Sequence, residues 1–536
     1  MKFFWQDPEA WLFPDKLNDI KAGLKNPVFD AARGGIASIA FVLTGVTPGR
    51  KIELASDRPD CRFFEMVDVC VNRNTAEGNF AEREGNPKSK SVVRNAPFRE
   101  FDALKPVGGS FVPKADAAAV YVQLPVKYTA KPGVVKVTVS VSDGDEIIEK
   151  SFSVRVSSVR LPETGEKSIF LTNWFNVGAM NFKQNVKYWT PRFWRALKNN
   201  AALMYHMRQN TFWCPLGLFF SYDEKTGKYT LAENHLKKYI DLFTDAGLYW
   251  IEGGHFGGRD GGWTATDFKV VLSGHSVKSI EGNRDIAQIA FALRDFMKKY
   301  GFTHRWIQHV TDEPIPCNGD SYRIFSGLVR KYLPGVPLLD AMSDPEIAGA
   351  PNIWCPQVQE YQSRHDDFEA MREQGDHIWA YTCCCPGGPY LNRLCDGELA
   401  RPLLLGWGCG YYGIEGFLHW GWNFYQSYKK QEKGIDWQDP FEETSPREFG
   451  DSVNILPPGD THISYPGPDG TVWGSMRLEA QREGMEDWEL IRMLKKKDPA
   501  KCDAITKKVF RAFNDFTADP SAIRKARKAL IDALEK

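Results

Sequence analysis

The sequence predicts an α/β protein, a (β/α)8 TIM-type barrel preceded by an N-terminal β-sandwich, and three observations carry that expectation. Up to about Pro162 the chain alternates β-branched and polar residues, as in AVYVQLPVKY and VVKVTVSVSDGDEIIEKSFSVRV, the pattern of half-buried strands. Beyond it, short apolar runs alternate with amphipathic helices, which is how parallel strands and their crossover helices read. Those runs number about eight, the count that closes a barrel. A chain of 536 residues is long enough to bury both units.

In the N-terminal unit, Ser142-Asp143-Gly144-Asp145 supplies a hairpin turn between the last two runs. The polar, proline-containing segment LPETGEK, Leu161 to Lys167, marks the boundary, giving units 1–162 and 163–536. The barrel strands are read at IFLTNWF from Ile169, TFWCPL from Thr211, LYWIEGGHF from Leu248 and HRWIQHVTDEP from His304. They continue at VPLLDAMSD from Val336, NIWCPQV from Asn352, HIWAYTC from His377 and YGIEGFLHWGW from Tyr412. Between them, Leu236, Tyr239, Ile240, Phe243 and Ala246 share one helical face before Gly247, and Ile286, Ile289, Leu293, Met297 and Tyr300 share another before Gly301. Turns at Pro457-Pro458-Gly459 and Pro468-Asp469-Gly470 then lead into RLEAQREGMEDWELIRML and a last helix capped near Asp519. Arg477, Arg482, Glu483 and Asp487 in that charged helix are expected to form solvated ion pairs.

Composition narrows the function. Lys+Arg 68 balances Asp+Glu 68 with no basic run, so the electrostatic footprint of nucleic-acid binding is missing. No apolar run approaches a bilayer-spanning length. Aromatic residues make 13% of the chain, with 17 tryptophans, and flat rings pack against the apolar face of a sugar as readily as in a core. The 11 cysteines show no paired zinc-type spacing. The consecutive Cys383, Cys384 and Cys385 should point in different directions in an extended segment, so a packed loop is expected there, with no metal and no cofactor. The opening MKFFWQDPEAW regains charge at Asp7 and Glu9 and lacks the apolar stretch of a signal peptide.

Reactive groups of such a barrel gather at the C-terminal strand ends. The fourth strand runs into Val310-Thr311-Asp312-Glu313-Pro314, where two adjacent acids are costly beside a core unless they are used. Neighbouring strand residues face opposite ways, so both acids reach one pocket only where the strand ends or bulges, as Pro314 suggests. The two-carboxylate retaining scheme needs a second acid roughly 5 Å away. None is evident on the seventh strand, which ends Tyr381-Thr382-Cys383; Glu415 on the eighth is the alternative nucleophile. An acid pair without a separate nucleophile suits substrate-assisted hydrolysis, in which the sugar's 2-acetamido oxygen attacks the anomeric carbon. Glu313 is then the general acid, and Asp312 accepts the acetamido N–H, stabilises the oxazolinium intermediate and raises its neighbour's pKa.

These residues resemble glycoside hydrolase family 123, the β-N-acetylgalactosaminidases, together with wider relatives sharing the catalytic domain. The resemblance rests on TDEP at Thr311, YTCCCPGGPYLNR from Tyr381, GFLHWGWNFY from Gly416, and SYPGPDG followed by SMRLEAQREGMEDWEL. It implies a β-sandwich, a (β/α)8 barrel, retention through the acetamido group, and Asp312 and Glu313 as the catalytic pair. Around them, Tyr381 is expected to donate to the acetamido oxygen, one of Trp422 and Trp420 to form the sugar platform, with Trp422 favoured, and Asn423 to bind hydroxyls. Trp174, Trp213, His255 and Trp354 lie near other strand ends as further contacts or wall. The expected partner is a glycan, a glycolipid or glycoprotein oligosaccharide. The expected location is secreted, periplasmic or cell-surface with the signal removed, with the cytoplasm as the alternative. Competing readings are a β-N-acetylglucosaminidase, a two-carboxylate β-glycosidase using Glu415, and a non-catalytic glycan-binding protein.

Overall fold

The computed structural model describes residues 1–83, 89–144, 146–182, 186–427, 436–446 and 453–536. Asp145, the last residue of the expected hairpin turn, lies outside them, but Asp143 and Glu146 pair across that turn as expected. The N-terminal region forms two sheets, a seven-stranded one containing Ile36–Thr44 and Ala117–Pro125 and a five-stranded one containing Gly133–Asp143 and Glu146–Arg160. Ile36–Thr44 shows why its sequence reads as a nearly continuous apolar run. Ile39, Phe41 and Leu43 face Val137, Val139 and Phe152 of the second sheet, while Ala40 and Val42 join the core of the C-terminal region. Side chains alternate across a strand, so a sheet buried on both faces needs apolar residues at every position. The same sheet is extended by Val472–Ser475 and Tyr465–Pro466 from the far end of the chain, with Gly474 opposite Leu104.

All eight expected parallel strands are present, in two curled arcs. One runs Phe170–Asn173, Gly416–His419, His377–Tyr381, Ile353–Cys355, Leu339–Ala341, and the other Thr211–Cys214, Trp250–Gly253, Trp306–Gln308. A parallel bridge between Gln308 and Leu338 joins the arcs on one side. On the other, among the described residues, no ladder pairs the first strand with the second. The Asn210 side chain takes the place of a strand partner, its Oδ1 accepting from the Leu171 N–H at 3.1 Å. The interior is filled by Ile307, Leu339, Ile353, Trp379 and Leu418, with Phe170 closing the N-terminal end against Trp250 and Trp379 at 5.2 and 5.0 Å between ring centroids.

The expected helices Glu233–Asp245 and Ile280–Tyr300 bury the predicted faces, and the second is capped by the Ser279 side chain and by Gly301 at φ 73°. The helix Met476–Lys497 departs from expectation. It runs between the N-terminal sheet, the helix Ala400–Tyr412 and the last helix, and Arg477, Arg482 and Asp487 are fully buried, with Glu483 nearly so. Their ion pairs are therefore interior. Arg477 pairs with Asp102 at 2.8 Å, Arg482 with Glu479 at 2.7 Å and Glu486 at 2.5 Å, and Arg527 of the last helix meets Glu483, Glu486 and Asp487. Packed between a sheet and two helices, these charges are largely removed from water and partner one another.

Glycines let this helix approach its neighbour. A Cβ on Gly406 would lie 2.1 Å from the Gly484 carbonyl oxygen, and one on Gly484 would lie 2.2 Å from that of Leu403. Gly406→Ala must push two helix backbones apart, so a loss of about 1–3 kcal/mol is expected. It would be read as a lower urea midpoint at unchanged slope.

Candidate active site

The C-terminal strand ends converge on a cavity of about 340 Å³ lined by Trp174, Trp213, His255, Asp312, Glu313, Tyr381, Cys383, Cys384, Trp420 and Asp460, among others. The fourth strand stops at Gln308, and the chain turns through Glu313, whose φ of 45° is in the left-handed region. That conformation is uncommon for a residue with a Cβ and costs energy, which the surroundings must supply. Here the Arg259 guanidinium donates to the Glu313 carbonyl oxygen and is itself stacked on Trp263 at 4.1 Å. The turn brings both acids to one cavity, as adjacency on a regular strand could not.

Below the pair lies a buried charged relay that the sequence reading did not identify. His309 Nε2 is 2.7 Å from Glu252 Oε1 and its Nδ1 is 3.0 Å from Asp340 Oδ1, with all three side chains sealed from solvent. Burial opposes a charged ring, yet Asp340 and Glu252 hold the His309 pKa at about 9, so the imidazolium donates from both nitrogens. Glu252 is further held by Trp174 Nε1 at 2.9 Å and by the Thr172 hydroxyl. Asp340 accepts from the Tyr322 hydroxyl at 2.5 Å and from the Val310 N–H at 3.1 Å. The signal was present in the sequence: Glu252 and Asp340 are lone acids within apolar strand segments, a costly placement without a buried partner.

Burial pushes the Asp312 pKa up to about 6, against the pull of Arg259 and His309. Burial also pushes Glu313 well above the usual carboxylate range, and the neighbouring Asp312 charge pushes the same way. Both shifts favour a pair that keeps a proton towards neutral pH, with Glu313 the more strongly raised of the two. The Tyr381 hydroxyl donates to Glu313 Oε1 and accepts from Gln357 Nε2 at 3.0 Å. With Oε1 so engaged, the acidic proton of Glu313 belongs on Oε2.

The other expected contacts divide. Trp174 and Trp213 stack at 4.6 Å and, with His255 and Trp420, line the cavity. His255 is kept neutral by burial, with the His309 charge acting in the same sense. Trp422, Asn423 and Trp354 do not reach the cavity. Trp422 is fully buried with its Nε1 on Asn200 Oδ1 at 2.9 Å, Asn423 clamps the backbone of Asn176, and Trp354 is buried with its Nε1 on Asp376 at 2.8 Å. The eighth strand ends at His419, so alternation no longer governs the following residues, and the tryptophan at the cavity is Trp420. Glu415 precedes that strand, pairs with His377 at 2.8 Å and lines a separate cavity with Ser168 and Arg492 at the opposite, N-terminal end. It cannot act as the partner nucleophile of Glu313.

Two further cavity features were not foreseen. Asp460, from the turn-rich segment, reaches in with Oδ1 held by Trp420 Nε1 at 3.1 Å, and burial pushes its pKa well up. The thiols of Cys383, Cys384 and Cys385 converge instead of diverging, with Cys383 Sγ 3.9 and 3.4 Å from the other two. Among the described residues no helix is long and apolar enough to cross a membrane.

The profile of the glycoside hydrolase 123 catalytic domain matches residues 174–494, a span that holds Trp174, the acid pair, Tyr381 and most of the buried helix. Among solved structures, the chain is similar to a family 123 glycoside hydrolase from Clostridium perfringens described for glycolipid glycan hydrolysis. The TM-score is 0.70 at 15% identity, covering 100% of this chain and 97% of that one. A β-D-glucuronidase from Dictyoglomus thermophilum aligns over 84% of this chain and 89% of that one with a TM-score of 0.35 at 9% identity. Only the first is near enough to speak for the fold, and no curated protein sequence matches. With the family profile spanning more than half of the sequence, the chain belongs to glycoside hydrolase family 123.

Proposed function

We propose that the protein is a retaining exo-glycoside hydrolase that releases terminal β-linked N-acetylgalactosamine by substrate-assisted catalysis, its two parallel arcs acting as one (β/α)8 barrel. The observation that carries this reading is the geometry of the acid pair: the turn at Glu313 brings Asp312 and Glu313 to one aromatic cavity, where burial raises both carboxyls and the Asp312 charge raises Glu313 further. Glu313 Oε2 donates its proton to the departing glycosidic oxygen and later takes one from water. Asp312 accepts the acetamido N–H, which turns the acetamido oxygen toward the anomeric carbon and offsets the charge of the oxazolinium. The third carboxyl in the cavity, Asp460, is held towards its neutral form by burial, a poor state for a nucleophile, which favours attack from the substrate itself. The cavity's modest size suits a terminal sugar more than a long groove-bound chain. Trp420 offers a ring face, and the buried polar atoms His255 Nε2 and Asp460 Oδ2, with no hydrogen-bond partner among the described residues, suit sugar hydroxyls. The natural substrate would be a glycolipid or glycoprotein oligosaccharide.

Incubation with nitrophenyl β-N-acetylgalactosaminide, β-N-acetylglucosaminide and β-galactoside tests this. Release from the first alone supports the reading, and release from the galactoside alone refutes it. The pH profile gives a second check. With Asp312 ionising at about 6 and Glu313 above it, kcat/KM should rise as pH increases through about 6 and fall once Glu313 loses its proton. Asp312→Asn should abolish the acidic limb and shift the alkaline fall to lower pH, because the like charge that raised Glu313 is gone. Its kcat should drop about 10²–10³-fold, the scale of losing one charge-stabilising group. An acidic limb unchanged in Asp312→Asn would show that another group sets it.

A further inference from the structure

The hydrolytic reading leaves the consecutive thiols of Cys383, Cys384 and Cys385 without a task, although two of them line the cavity. Their convergence has a backbone cause. The Cys383 N–H donates to the Cys385 carbonyl oxygen at 2.9 Å, which curls the tripeptide so that the side chains no longer alternate. The buried Asn392 fixes the curl from outside, its Nδ2 donating to the carbonyl oxygens of Cys383 at 2.9 Å and Pro386 at 3.0 Å. All three sulfurs lie within 4.8 Å of one another, and all three thiols are free.

The spacing is that of a coordination shell. Thiolates bound to zinc at about 2.3 Å in a tetrahedron lie about 3.8 Å apart. The separations of 3.4 and 3.9 Å from Cys383 Sγ bracket that value. They are too long for a disulfide, whose sulfurs are about 2.05 Å apart. An amide oxygen is also at hand, Gln357 Oε1, 3.2 Å from Cys385 Sγ. Soft sulfur ligands select zinc and its heavier congener cadmium over the hard magnesium and calcium ions.

We propose that Cys383, Cys384 and Cys385 form a binding site for one soft divalent cation of the zinc type, three thiolates filling three positions and the fourth open to the cavity. Coordination replaces the thiol protons, which pass to solvent, and no oxidation state changes. Gln357 contacts both Cys385 and the Tyr381 hydroxyl, so the ion would sit one residue away from the group that holds Glu313.

The test is a titration of the reduced, metal-stripped, full-length protein with Cd²⁺, followed by the ultraviolet thiolate-to-cadmium charge-transfer absorption. Absorption should rise linearly to one equivalent per chain with the amplitude of three thiolates, and excess Zn²⁺ should bleach it. The partly exposed Cys384→Ser variant and the double variant Cys383→Ser/Cys385→Ser should lose this first equivalent. The control Cys61→Ser/Cys70→Ser/Cys317→Ser, which removes accessible thiols elsewhere, should retain it, and circular dichroism should show every variant folded. A first equivalent that survives in the double variant, vanishes in the control, or fails to form in the parent protein overturns the proposal. None of these readouts depends on glycosidase activity, so failure here leaves the hydrolytic reading standing.

Discussion

Glu313→Gln should lower kcat/KM by about 10²–10⁴-fold on glycosides with poor leaving groups, the usual contribution of a positioned acid–base group. Gln keeps the shape and can still accept from the Tyr381 hydroxyl, which donates to Glu313 Oε1 in the parent, but it has no acidic proton for the leaving oxygen. A nitrophenolate leaves with little protonic help, so the glycosylation step should suffer much less with nitrophenyl substrates than with methyl glycosides. Measuring both on parent and variant separates the acid role from a structural one. An equal loss on the two leaving groups would mean that Glu313 acts by position alone.

Arg477→Met should be the most destabilising of the substitutions considered. Arg477 is fully buried, donates to Asp102 Oδ2 at 2.9 Å through Nε, and satisfies the carbonyl oxygens of Arg393, Gly459 and His462. Its removal strands the buried Asp102 carboxylate, leaving, among the described residues, the Tyr465 hydroxyl at 2.7 Å and the backbone N–H of position 477 as donors. Breaking such a pair from one side costs about 3–5 kcal/mol. Replacing both members, as Asp102→Leu/Arg477→Met, should recover part of that loss but not all, since three carbonyl oxygens stay unpartnered. Chemical denaturation of the two single variants and the double variant gives the coupling. A single variant within about 0.5 kcal/mol of the parent would place Arg477 at the surface, in the range of an ordinary exposed pair.

Arg477 also lies where the local sequence misleads. Charge density in QREGMEDWEL suggests a solvated helix face, because an isolated helix would put those groups in water. Burial of Arg477, Arg482 and Asp487 follows from what packs around the helix, the N-terminal sheet on one side and the last helix on another, and neither neighbour is visible from local periodicity. The eight strands were legible, because each apolar run is short, bounded and followed by a helical period. The acid pair was legible because two carboxylates at a strand end are expensive unless used. Tyr381, Trp174, Trp213 and His255 line the cavity, as their strand-end positions suggested, but the Tyr381 hydroxyl donates to Glu313 Oε1, where the expectation had it donating to an acetamido oxygen. Trp422 and Asn423 did not reach the cavity, because the eighth strand stops at His419 and the turn beyond it buries Trp422 while Trp420 faces inward. Asp460 comes from a turn, where no period constrains direction, and Gln357, inside the sixth strand run, pairs with Tyr381 in a parallel bridge past the regular strand. The left-handed turn at Glu313 is likewise set by its surroundings, including the Arg259 clamp from a distant hairpin.

In the proposed reaction the substrate's own acetamido oxygen is the nucleophile. The decisive experiment compares kcat/KM for nitrophenyl β-N-acetylgalactosaminide with its mono-, di- and trifluoroacetamido analogues. Each fluorine draws electron density from the carbonyl oxygen and weakens it as a nucleophile while changing the shape little. Attack by the acetamido oxygen should give a steep fall across the series, with the trifluoro compound slowest. A flat series would contradict it and assign the attack to a group of the protein.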